Sequence, residues 1–274
     1  MIGYILIAAA VVLICAWLFA IAPGDDAGME KFRDVRYAHR GLHGDIGGDG
    51  YAAENSMTAF KRAVDHGFGI ELDVRITKDN ELVVFHDGTL DRITGVSGKV
   101  CDFTLEELKK LSLSGTEDTI PTLSEVLTLV DGKIPLLVEI KEDGAGSAAA
   151  EKTAEVLSGY SGDFIVESFS PIALAAIKRL LPTALRGFLA DKHTKNKDHR
   201  SIQYRVTQRF LLNILARPAF IAMNHKRPNM FPLPVIKAVF KTPVIAWTVR
   251  SKEEELQAYK NGFSGVIFEN YIPE

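Results

Sequence analysis

Two histidines stand at the ends of short apolar runs in the first third of the chain, His39 at one and His86 at another. An imidazole accepts or donates a proton near neutral pH, so a pair of them could act as the base and the acid of a phosphodiester cleavage. A single histidine at such a position is more often a hydrogen-bonded structural residue. Two histidines beside a group of carboxylates favour catalysis, although the residues do not tell which one is the base.

Three carboxylates follow the same pattern on two further apolar runs. Glu71 and Asp73 are separated by one residue, and because side chains alternate along a β-strand, both lie on one face. Glu139 has the same relation to Lys141. Converging carboxylates repel one another unless a cation lies among them, and oxygen ligands suit a hard divalent ion, Mg²⁺ or Ca²⁺. Pairing with Lys or Arg across strands is the alternative for any one carboxylate, but the two motifs together favour a metal site.

Arg40 and Lys141 add positive charge to the same group of residues. A guanidinium and an ammonium beside a metal ion suit an anionic phosphate, whose negative charge grows on its equatorial oxygens in the transition state. The alternative role of both side chains is to neutralise the carboxylates without any ligand. The two roles are compatible with each other.

These residues require a scaffold that brings the ends of separate strands together. From Asp34 onward, β-branched runs alternate with amphipathic helical segments, several of which begin with a capping residue such as Ser56 or Ser251. Eight strands joined by helical crossovers are typical of a (β/α)₈ TIM barrel, whose catalytic groups project from the carboxyl ends of the strands. The predicted strands are Val35–His39, Gly69–Arg75, Leu136–Lys141, Phe164–Phe169, Ala184–Leu189, Ala219–Met223, Val244–Val249 and Gly265–Phe268.

A ninth apolar run, Glu81–Phe85, follows the second strand after four residues, which is too short for a parallel crossover. We therefore expect a hairpin, followed by an excursion over one end of the barrel (87–121) with a short helix at Thr104–Leu111. An open doubly wound sheet is the alternative architecture. It would need a glycine-rich phosphate turn that starts a helix after the first strand, whereas the glycines found there lead into a loop.

The first 22 residues carry no charged side chain, and an apolar run of about 20 residues matches the hydrocarbon thickness of a bilayer. We predict a retained transmembrane anchor at 1–22; a cleaved signal peptide is the alternative, because Ala20–Ala22 resembles a cleavage site. The first basic residues, beginning at Lys31, follow the span, and positive charge tends to stay cytoplasmic. This predicts a single-pass membrane protein with a linker at 23–33 and one cytoplasmic barrel domain at 34–274.

The composition excludes several classes of protein. With 32 basic and 35 acidic side chains, the formal net charge of −3 argues against binding of nucleic acid through a basic surface. A hydrophobic fraction of 47% is too high for a disordered chain. The two cysteines, Cys15 and Cys101, can form neither a disulfide framework nor a zinc site.

Several motifs together resemble those of the glycerophosphodiester phosphodiesterases. They are His39-Arg40-Gly41, Glu54-Asn55-Ser56, Glu71-Leu72-Asp73-Val74, Val84-Phe85-His86-Asp87 and Val138-Glu139-Ile140-Lys141. The resemblance continues through Glu167-Ser168-Phe169, Trp247-Thr248-Val249 and Gly265–Asn270, and so covers nearly everything after the apolar N-terminus.

The resemblance implies a TIM barrel of the phospholipase-C-like type and metal-dependent hydrolysis of a glycerol phosphodiester to glycerol 3-phosphate and an alcohol. By position it implies divalent-ion ligands (Glu71, Asp73, Glu139), an acid/base pair (His39, His86) and phosphate contacts (Arg40, Lys141). Glu54 could bind the metal or hold Arg40. Trp247 could wall the glycerol or alcohol side, or simply fill the barrel interior.

Two other functions remain open at this point. A lysophospholipase D, or another lipid phosphodiesterase acting at the bilayer, is motivated by the anchor and by the basic loop Asp191–Arg200. In that loop Lys192, Lys195 and Lys197 could touch anionic lipid, although an ordinary solvated loop would have the same composition. A non-catalytic membrane protein that binds phosphodiesters would be expected to lack a metal ligand or a histidine, yet all motif positions are occupied.

Overall fold

The computed structural model describes residues 1–48, 50–142, 144, 146–191 and 209–274. Its centre is a closed barrel of eight parallel strands. They are β1 (Arg36–His39), β2 (Gly69–Ile76), β4 (Leu136–Ile140), β5 (Phe164–Ser168), β6 (Arg186–Ala190), β7 (Phe220–Asn224), β8 (Val244–Val249) and β9 (Gly265–Phe268). Each strand pairs with the next in this order, and β1 pairs with both β2 and β9, which closes the barrel. The predicted TIM barrel is confirmed, and its strand boundaries shift by one or two residues at most.

The short strand β3 (Leu82–Val84) pairs antiparallel with β2, so the ninth apolar run folds back as a hairpin. After it, the excursion contains α3 (Asp91–Thr94) and α4 (Leu105–Leu108). A small apolar core of its own holds the excursion against β3. β3 returns along β2 only as far as Asp73, whose carbonyl accepts a hydrogen bond from the Phe85 N–H at 2.9 Å. His86 and the start of the excursion therefore lie near the carboxyl ends of the barrel strands.

The remaining helices form the outer layer. They are α2 (Met57–Asp65), α5 (Leu123–Val130), α6 (Ala148–Leu157), α7 (Pro171–Leu180), α8 (Asn213–Ala216), α9 (Leu233–Phe240) and α10 (Lys252–Lys260). Helices α2 and α10 begin as expected, because the hydroxyls of Ser56 and Ser251 each accept a hydrogen bond from a backbone N–H three residues on. The basic loop at 192–200, with Lys192, Lys195 and Lys197, lies outside the described residues.

The barrel interior has an apolar layer towards the amino-terminal ends of the strands and a polar layer towards their carboxyl ends. Period-two alternation turns Tyr37 and Leu137 inward, where they pack with Ile165, Phe220 and their neighbours in one buried cluster. The inward positions two residues further along the same strands are His39, Glu139 and Glu167. The apolar layer therefore closes the barrel beneath the polar side chains, which gather at the carboxyl ends of the strands.

The N-terminal helix α1 (Ile2–Ile21) is long and apolar enough to cross a membrane, by length and composition. Residues 1–16 are exposed, and the last turn of α1 lies against the barrel. The segment between α1 and β1, which the sequence predicts as a linker, contains a 3₁₀ turn at Ala27–Phe32. Met29 and Phe32 of this turn are buried in the apolar layer, so the turn plugs the amino-terminal end of the barrel.

Candidate active site

Three buried carboxylates meet at the carboxyl end of the barrel. Glu71 and Asp73 lie on β2 and Glu139 on β4, and the strand register places Asp73 directly beside Glu139. One oxygen from each of the three lies within 4.8 Å of the others. All three residues are almost completely buried. The sequence-predicted convergence is therefore present in the structure.

Two cations contact this acidic cluster. Lys141 Nζ lies 2.6 Å from Glu139 Oε1 and 3.1 Å from Asp73 Oδ1. Arg40 Nε lies 3.4 Å from Asp73 Oδ2, and the Arg40 backbone N–H donates to Glu71 Oε2 at 3.0 Å. Both cations are thus placed where an anionic phosphate above the carboxylates would meet them.

Asn55 is part of the site although the sequence analysis gave it no role of its own. Its side-chain amide donates to Asp73 Oδ2 at 2.9 Å, and its backbone N–H donates to the carbonyl of Arg40 at 2.9 Å. Asn55 and Arg40 both have left-handed φ angles, 54° and 55°. Asparagine adopts this conformation more readily than most residues, so it suits a turn that aims its side chain at a carboxylate.

The pKa values of the three carboxyls diverge. Burial raises the pKa of Glu71 well above its ordinary value, and the charges of Asp73 and Glu139 raise it further. Burial also raises the pKa of Glu139 to about 7 in spite of Lys141. At Asp73 the effect of burial is outweighed by Lys141, His86 and Arg40, which hold the pKa well below its ordinary value. Arg40 and Lys141 therefore balance the negative charge of Asp73, but they do not balance the charges that Glu71 and Glu139 would carry if both were ionised.

A fourth carboxylate, Glu167 on β5, lies beside Glu139 in the strand register and lines the same cavity. It is buried, and its Oε2 has no hydrogen-bond partner among the residues that the structure describes. Burial raises the pKa of Glu167 well above its ordinary value, and Glu139 and Glu71 raise it further. The sequence motif Glu167-Ser168-Phe169 forms part of the family resemblance, but it predicts no role for the Glu167 carboxyl.

Each of the two histidines is held by a carboxylate at Nδ1. His39 Nδ1 lies 2.5 Å from Glu269 Oε2, and His86 Nδ1 lies 2.7 Å from Asp87 Oδ1. A carboxylate at Nδ1 favours the tautomer that carries its proton there, which leaves Nε2 to act as an acceptor. Burial lowers the pKa of both imidazoles below the ordinary value, although their acidic partners act in the opposite direction.

Neither orienting carboxylate was identified from the sequence. Asp87 directly follows His86, and Glu269 directly follows β9, so a position after a strand was the available signal in both cases. His43, to which the sequence analysis assigned no role, forms a second group of possible metal ligands with His39 and Glu269.

Glu54 contacts two arginine side chains. Its carboxylate accepts a hydrogen bond from Arg40 Nη1 at 2.8 Å and two from Arg92, at 2.8 and 2.7 Å. Arg92 also donates from Nε to Asp87 Oδ2 at 2.6 Å. Glu54 thus holds Arg40, and it is not among the three carboxylates that converge. Through Arg92 of the excursion, the same network reaches Asp87 and His86.

A cavity of about 180 Å³ connects these groups. Its lining includes both histidines, Arg40, Lys141, Glu71, Glu139 and Glu167. Trp247 forms part of the wall and meets Phe169 edge to face, with ring centroids 6.0 Å apart. Trp247 is partly exposed to the cavity and is therefore not confined to the apolar layer beneath.

Comparison with known proteins gives one family. The model of the "Glycerophosphoryl diester phosphodiesterase family" matches residues 39–271. A glycerophosphodiester phosphodiesterase from Caldanaerobacter subterraneus subsp. tengcongensis is 34% identical over 244 residues, which cover 84% of this chain and 91% of that protein. A putative glycerophosphodiester phosphodiesterase from Bacillus subtilis is 32% identical over 241 residues, which cover 84% and 92% of the two chains.

Solved structures agree with this result. A phosphodiesterase from Oleispira antarctica, in complex with the product sn-glycerol-3-phosphate, superposes with a TM-score of 0.70 at 25% identity and covers 87% of this chain and 94% of its own. A glycerophosphodiester phosphodiesterase from Thermotoga maritima has a TM-score of 0.65 at 27% identity and covers 86% and 94%. The resemblance of the motifs is confirmed: this chain is an enzyme that belongs to the glycerophosphoryl diester phosphodiesterase family.

Proposed function

We propose that this chain hydrolyses a glycerophosphodiester to glycerol 3-phosphate and an alcohol, with a divalent ion held by Glu71, Asp73 and Glu139. The observation that carries the proposal is the convergence of these carboxylates with two oriented imidazoles around one cavity. In the reaction an oxygen nucleophile forms a bond to phosphorus, the bond from phosphorus to the alcohol oxygen breaks, and the departing alkoxide takes up a proton.

The donor set fits a hard divalent ion. Three buried carboxylates, Glu71, Glu139 and Glu167, line the cavity, and the buried Asp73 lies beside Glu139. Arg40 and Lys141 contact this group, but Arg40 is shared with Glu54. Arg250 also lines the cavity and is paired with Glu269. Burial raises the pKa values of Glu71 and Glu139, and the neighbouring carboxylates raise them further. The donors of these carboxylates are oxygens, the ligand type that Mg²⁺ and Ca²⁺ prefer. When bound, the ion would supply positive charge to the phosphoryl oxygens.

His39 and His86 divide the proton transfers. One imidazole removes a proton from the nucleophile through Nε2, and the other protonates the departing alkoxide. The low pKa that burial gives to both rings keeps the base in its neutral, proton-accepting form. The nucleophile is either water or the glycerol 2-hydroxyl, and the second route makes a cyclic phosphate first. Phosphorus NMR of the early reaction mixture distinguishes the two routes by the presence of that cyclic product.

Arg40 and Lys141 would hold the phosphate, and Trp247 would wall the glycerol or alcohol side. Arg40 is fixed from two sides by Glu54 and Asp73, and this arrangement stops the guanidinium from turning away from the cavity. The aromatic pair of Trp247 and Phe169 gives the cavity an apolar part of its wall.

The direct test is hydrolysis of glycerophosphocholine by the purified full-length chain, with release of glycerol 3-phosphate as the readout. We expect turnover with Mg²⁺ or Ca²⁺, loss of turnover with a chelator, and recovery when the ion is restored in excess. Binding of the phosphodiester without any turnover, in the presence of either ion, would instead favour a non-catalytic binding protein and refute the proposal.

A second candidate is a lipid phosphodiesterase of the lysophospholipase D type. It is favoured by α1, whose exposed apolar surface has the length and composition of a membrane span. We further propose a single-pass anchor within residues 1–22, formed by the exposed part of α1, followed by the segment 23–33 and by a cytoplasmic catalytic domain at 34–274. Comparison of glycerophosphocholine with lysophosphatidylcholine in vesicles decides between the two substrates.

A further inference from the structure

The carboxyl-terminal turn of α1 is built into the barrel. Ile21 is completely buried, and its carbonyl accepts a hydrogen bond from the side chain of Asn213 at 3.0 Å. Arg217 donates from Nη1 to the carbonyls of Phe19 and Ala22 at 2.9 and 3.0 Å. These donors satisfy carbonyls that a helix end otherwise leaves unpaired. Cleavage after Ala22 would remove a core side chain and these hydrogen bonds, so the structure favours retention of α1.

Two contacts fix the direction in which α1 leaves the barrel. Just after α1, the Gly24 backbone N–H donates to the carbonyl of Pro218, two residues before β7 begins. One to two turns earlier in α1, Trp17 stacks on Phe231 with ring centroids 5.6 Å apart and planes within 1° of parallel. Phe231 belongs to the loop that follows β7 and precedes α9. Followed from Ile21 towards its N-terminus, α1 therefore runs from the amino-terminal end of the barrel towards its carboxyl-terminal end.

The free part of α1 continues in that direction. Residues 2–16 make no burying contact with the barrel and extend α1 beyond Trp17 by about 20 Å, at about 1.5 Å per residue. The catalytic cavity opens at the same end, because its histidines and carboxylates stand at the carboxyl ends of the strands. The apolar helix and the mouth of the active site thus face the same side of the molecule.

Exposed apolar side chains surround the mouth on this side. Phe231 after β7 is 52% exposed, Tyr51 after β1 is 50% exposed, and Ile172 after β5 is 45% exposed. The loop that carries Phe231 also carries Lys226 and Arg227, whose side chains are partly exposed although paired with acidic residues. Aromatic side chains with neighbouring cations are typical of the interfacial region of a bilayer.

We propose that the bilayer that holds α1 lies across the mouth of the barrel, with Trp17, Phe231 and Tyr51 in its interfacial region. The partner is a phospholipid surface, since Phe231 at the mouth stacks directly on Trp17 of the apolar helix α1. The active site then opens towards lipid headgroups, and phosphodiesters carried by the membrane reach it without crossing bulk water. This arrangement rests on insertion of α1 and does not depend on the roles proposed for His39 and His86.

The test compares the two ends of α9. Phe231 precedes α9 on the catalytic side, whereas Val239 lies in its last turn on the opposite side and is similarly exposed, at 55%. A fluorophore is attached to F231C or V239C in full-length protein that carries C15A and C101A. The protein is reconstituted in phosphatidylcholine vesicles that contain a headgroup-nitroxide lipid, which quenches fluorophores close to the surface. We expect quenching at position 231 to exceed that at position 239 several-fold.

A second pair of labelled variants shows whether the difference in quenching is only a local effect of the labels at positions 231 and 239. Tyr51 lies in the loop after β1, and Leu180 at the end of α7 on the opposite side. The Y51C label should be quenched and the L180C label should not. Equal quenching within each pair, stronger quenching at positions 239 and 180, or failure of the protein to stay with the vesicles would overturn the proposal. Hydrolysis of soluble glycerophosphocholine by the same labelled proteins shows separately whether the proposed function holds.

Discussion

His39 Nδ1 and Glu269 Oε2 lie 2.5 Å apart although 230 residues separate them in the chain. The barrel closure brings them together, because β1 and β9 pair in parallel with Arg36 beside Val266 and Ala38 beside Phe268. Continued by one step, this register places His39 beside Glu269. Arg250 Nε donates to the other oxygen of Glu269 at 2.6 Å, so the carboxylate is held from both sides. Glu269 therefore acts on His39 as a positioning residue.

The substitution Glu269→Gln should lower kcat while leaving KM close to the wild-type value. An amide at this position can present its NH₂ group to Nδ1 and so favour the wrong tautomer of His39. Loss of a general acid or base costs about 10²- to 10⁴-fold in rate, and we expect a reduction within that range. Steady-state kinetics with glycerophosphocholine measure the effect. The control is Glu274→Gln, an exposed glutamate that pairs with Lys252 and should change neither constant. An unchanged kcat in the Glu269 variant would rule out positioning through this contact.

The acid limb of the pH–rate profile should lie below pH 6.5. Burial holds the pKa of His39 below its ordinary value, while the hydrogen bond that His39 donates to Glu269 raises it. Activity that requires a neutral imidazole is present above this pKa and is lost as the pH falls through it. If His39 is the base, Glu269→Gln removes the raising effect, so the residual activity should persist to lower pH than in the wild type. A shift of the acid limb to higher pH would show that the sign of this coupling is wrong.

Glu71→Gln should separate metal binding from folding. Without a cation the raised pKa of Glu71 favours its neutral form, and a glutamine mimics that form. The melting temperature of the metal-free variant should therefore stay near that of the metal-free wild type. In the wild type, a cation at 100 times its dissociation constant adds about 2.7 kcal/mol, or about 5 to 10 °C in Tm for a domain of this size. The variant should lose most of this gain, together with its turnover.

Differential scanning calorimetry with added Mg²⁺ or Ca²⁺ supplies this measurement, and Glu117→Gln, in the excursion, is the control. Should the Glu71 variant gain as much Tm as the wild type, Glu71 would not be a ligand. The same titration also identifies the preferred ion, because the ion that stabilises at the lower concentration binds more tightly.

The two histidines should differ in their dependence on the leaving group. His39→Ala and His86→Ala should each lower the turnover of glycerophosphocholine by about 10²- to 10⁴-fold. The p-nitrophenyl ester of glycerol phosphate releases p-nitrophenolate, which departs without protonation. With this substrate, the variant that lacks the general acid should therefore recover much of its rate. The variant that lacks the base should remain slow. Recovery of both variants, or of neither, would contradict a division of acid and base roles between the two rings.

Much of the fold and site follows from local patterns. Alternation along β2 puts Glu71 and Asp73 on one face of the strand, and alternation along β4 puts Glu139 and Lys141 on one face. The pattern therefore predicts that the members of each pair point into the barrel together. The hairpin of β3 follows from a connection too short for a crossover. The end of β1 predicts the position of His39 at the mouth, because catalytic groups of a TIM barrel lie at the carboxyl ends of its strands. The end of the hairpin strand β3 predicts the position of His86.

The rest depends on contacts between distant segments. The sequence does not show that Arg92 pairs with Glu54, because Arg92 lies in the excursion, far from Glu54 along the chain and without a regular pattern. Glu269 could be assigned to His39 only once the register of β1 and β9 was known. Likewise, the apolar composition of α1 predicts a span but not its direction, which is set by the stacking of Trp17 on Phe231.

In the proposed site three carboxylates share one cation beneath two oriented imidazoles, and anomalous diffraction from crystals of the Mn²⁺-loaded protein locates that cation. We expect an anomalous peak at metal–ligand distance, about 2.0 to 2.6 Å, from oxygens of Glu71, Asp73 and Glu139. The free nitrogens of His39 and His86 should face the same cavity. A peak located instead among His39, His43 and Glu269, or no peak beside the three carboxylates, would contradict the account.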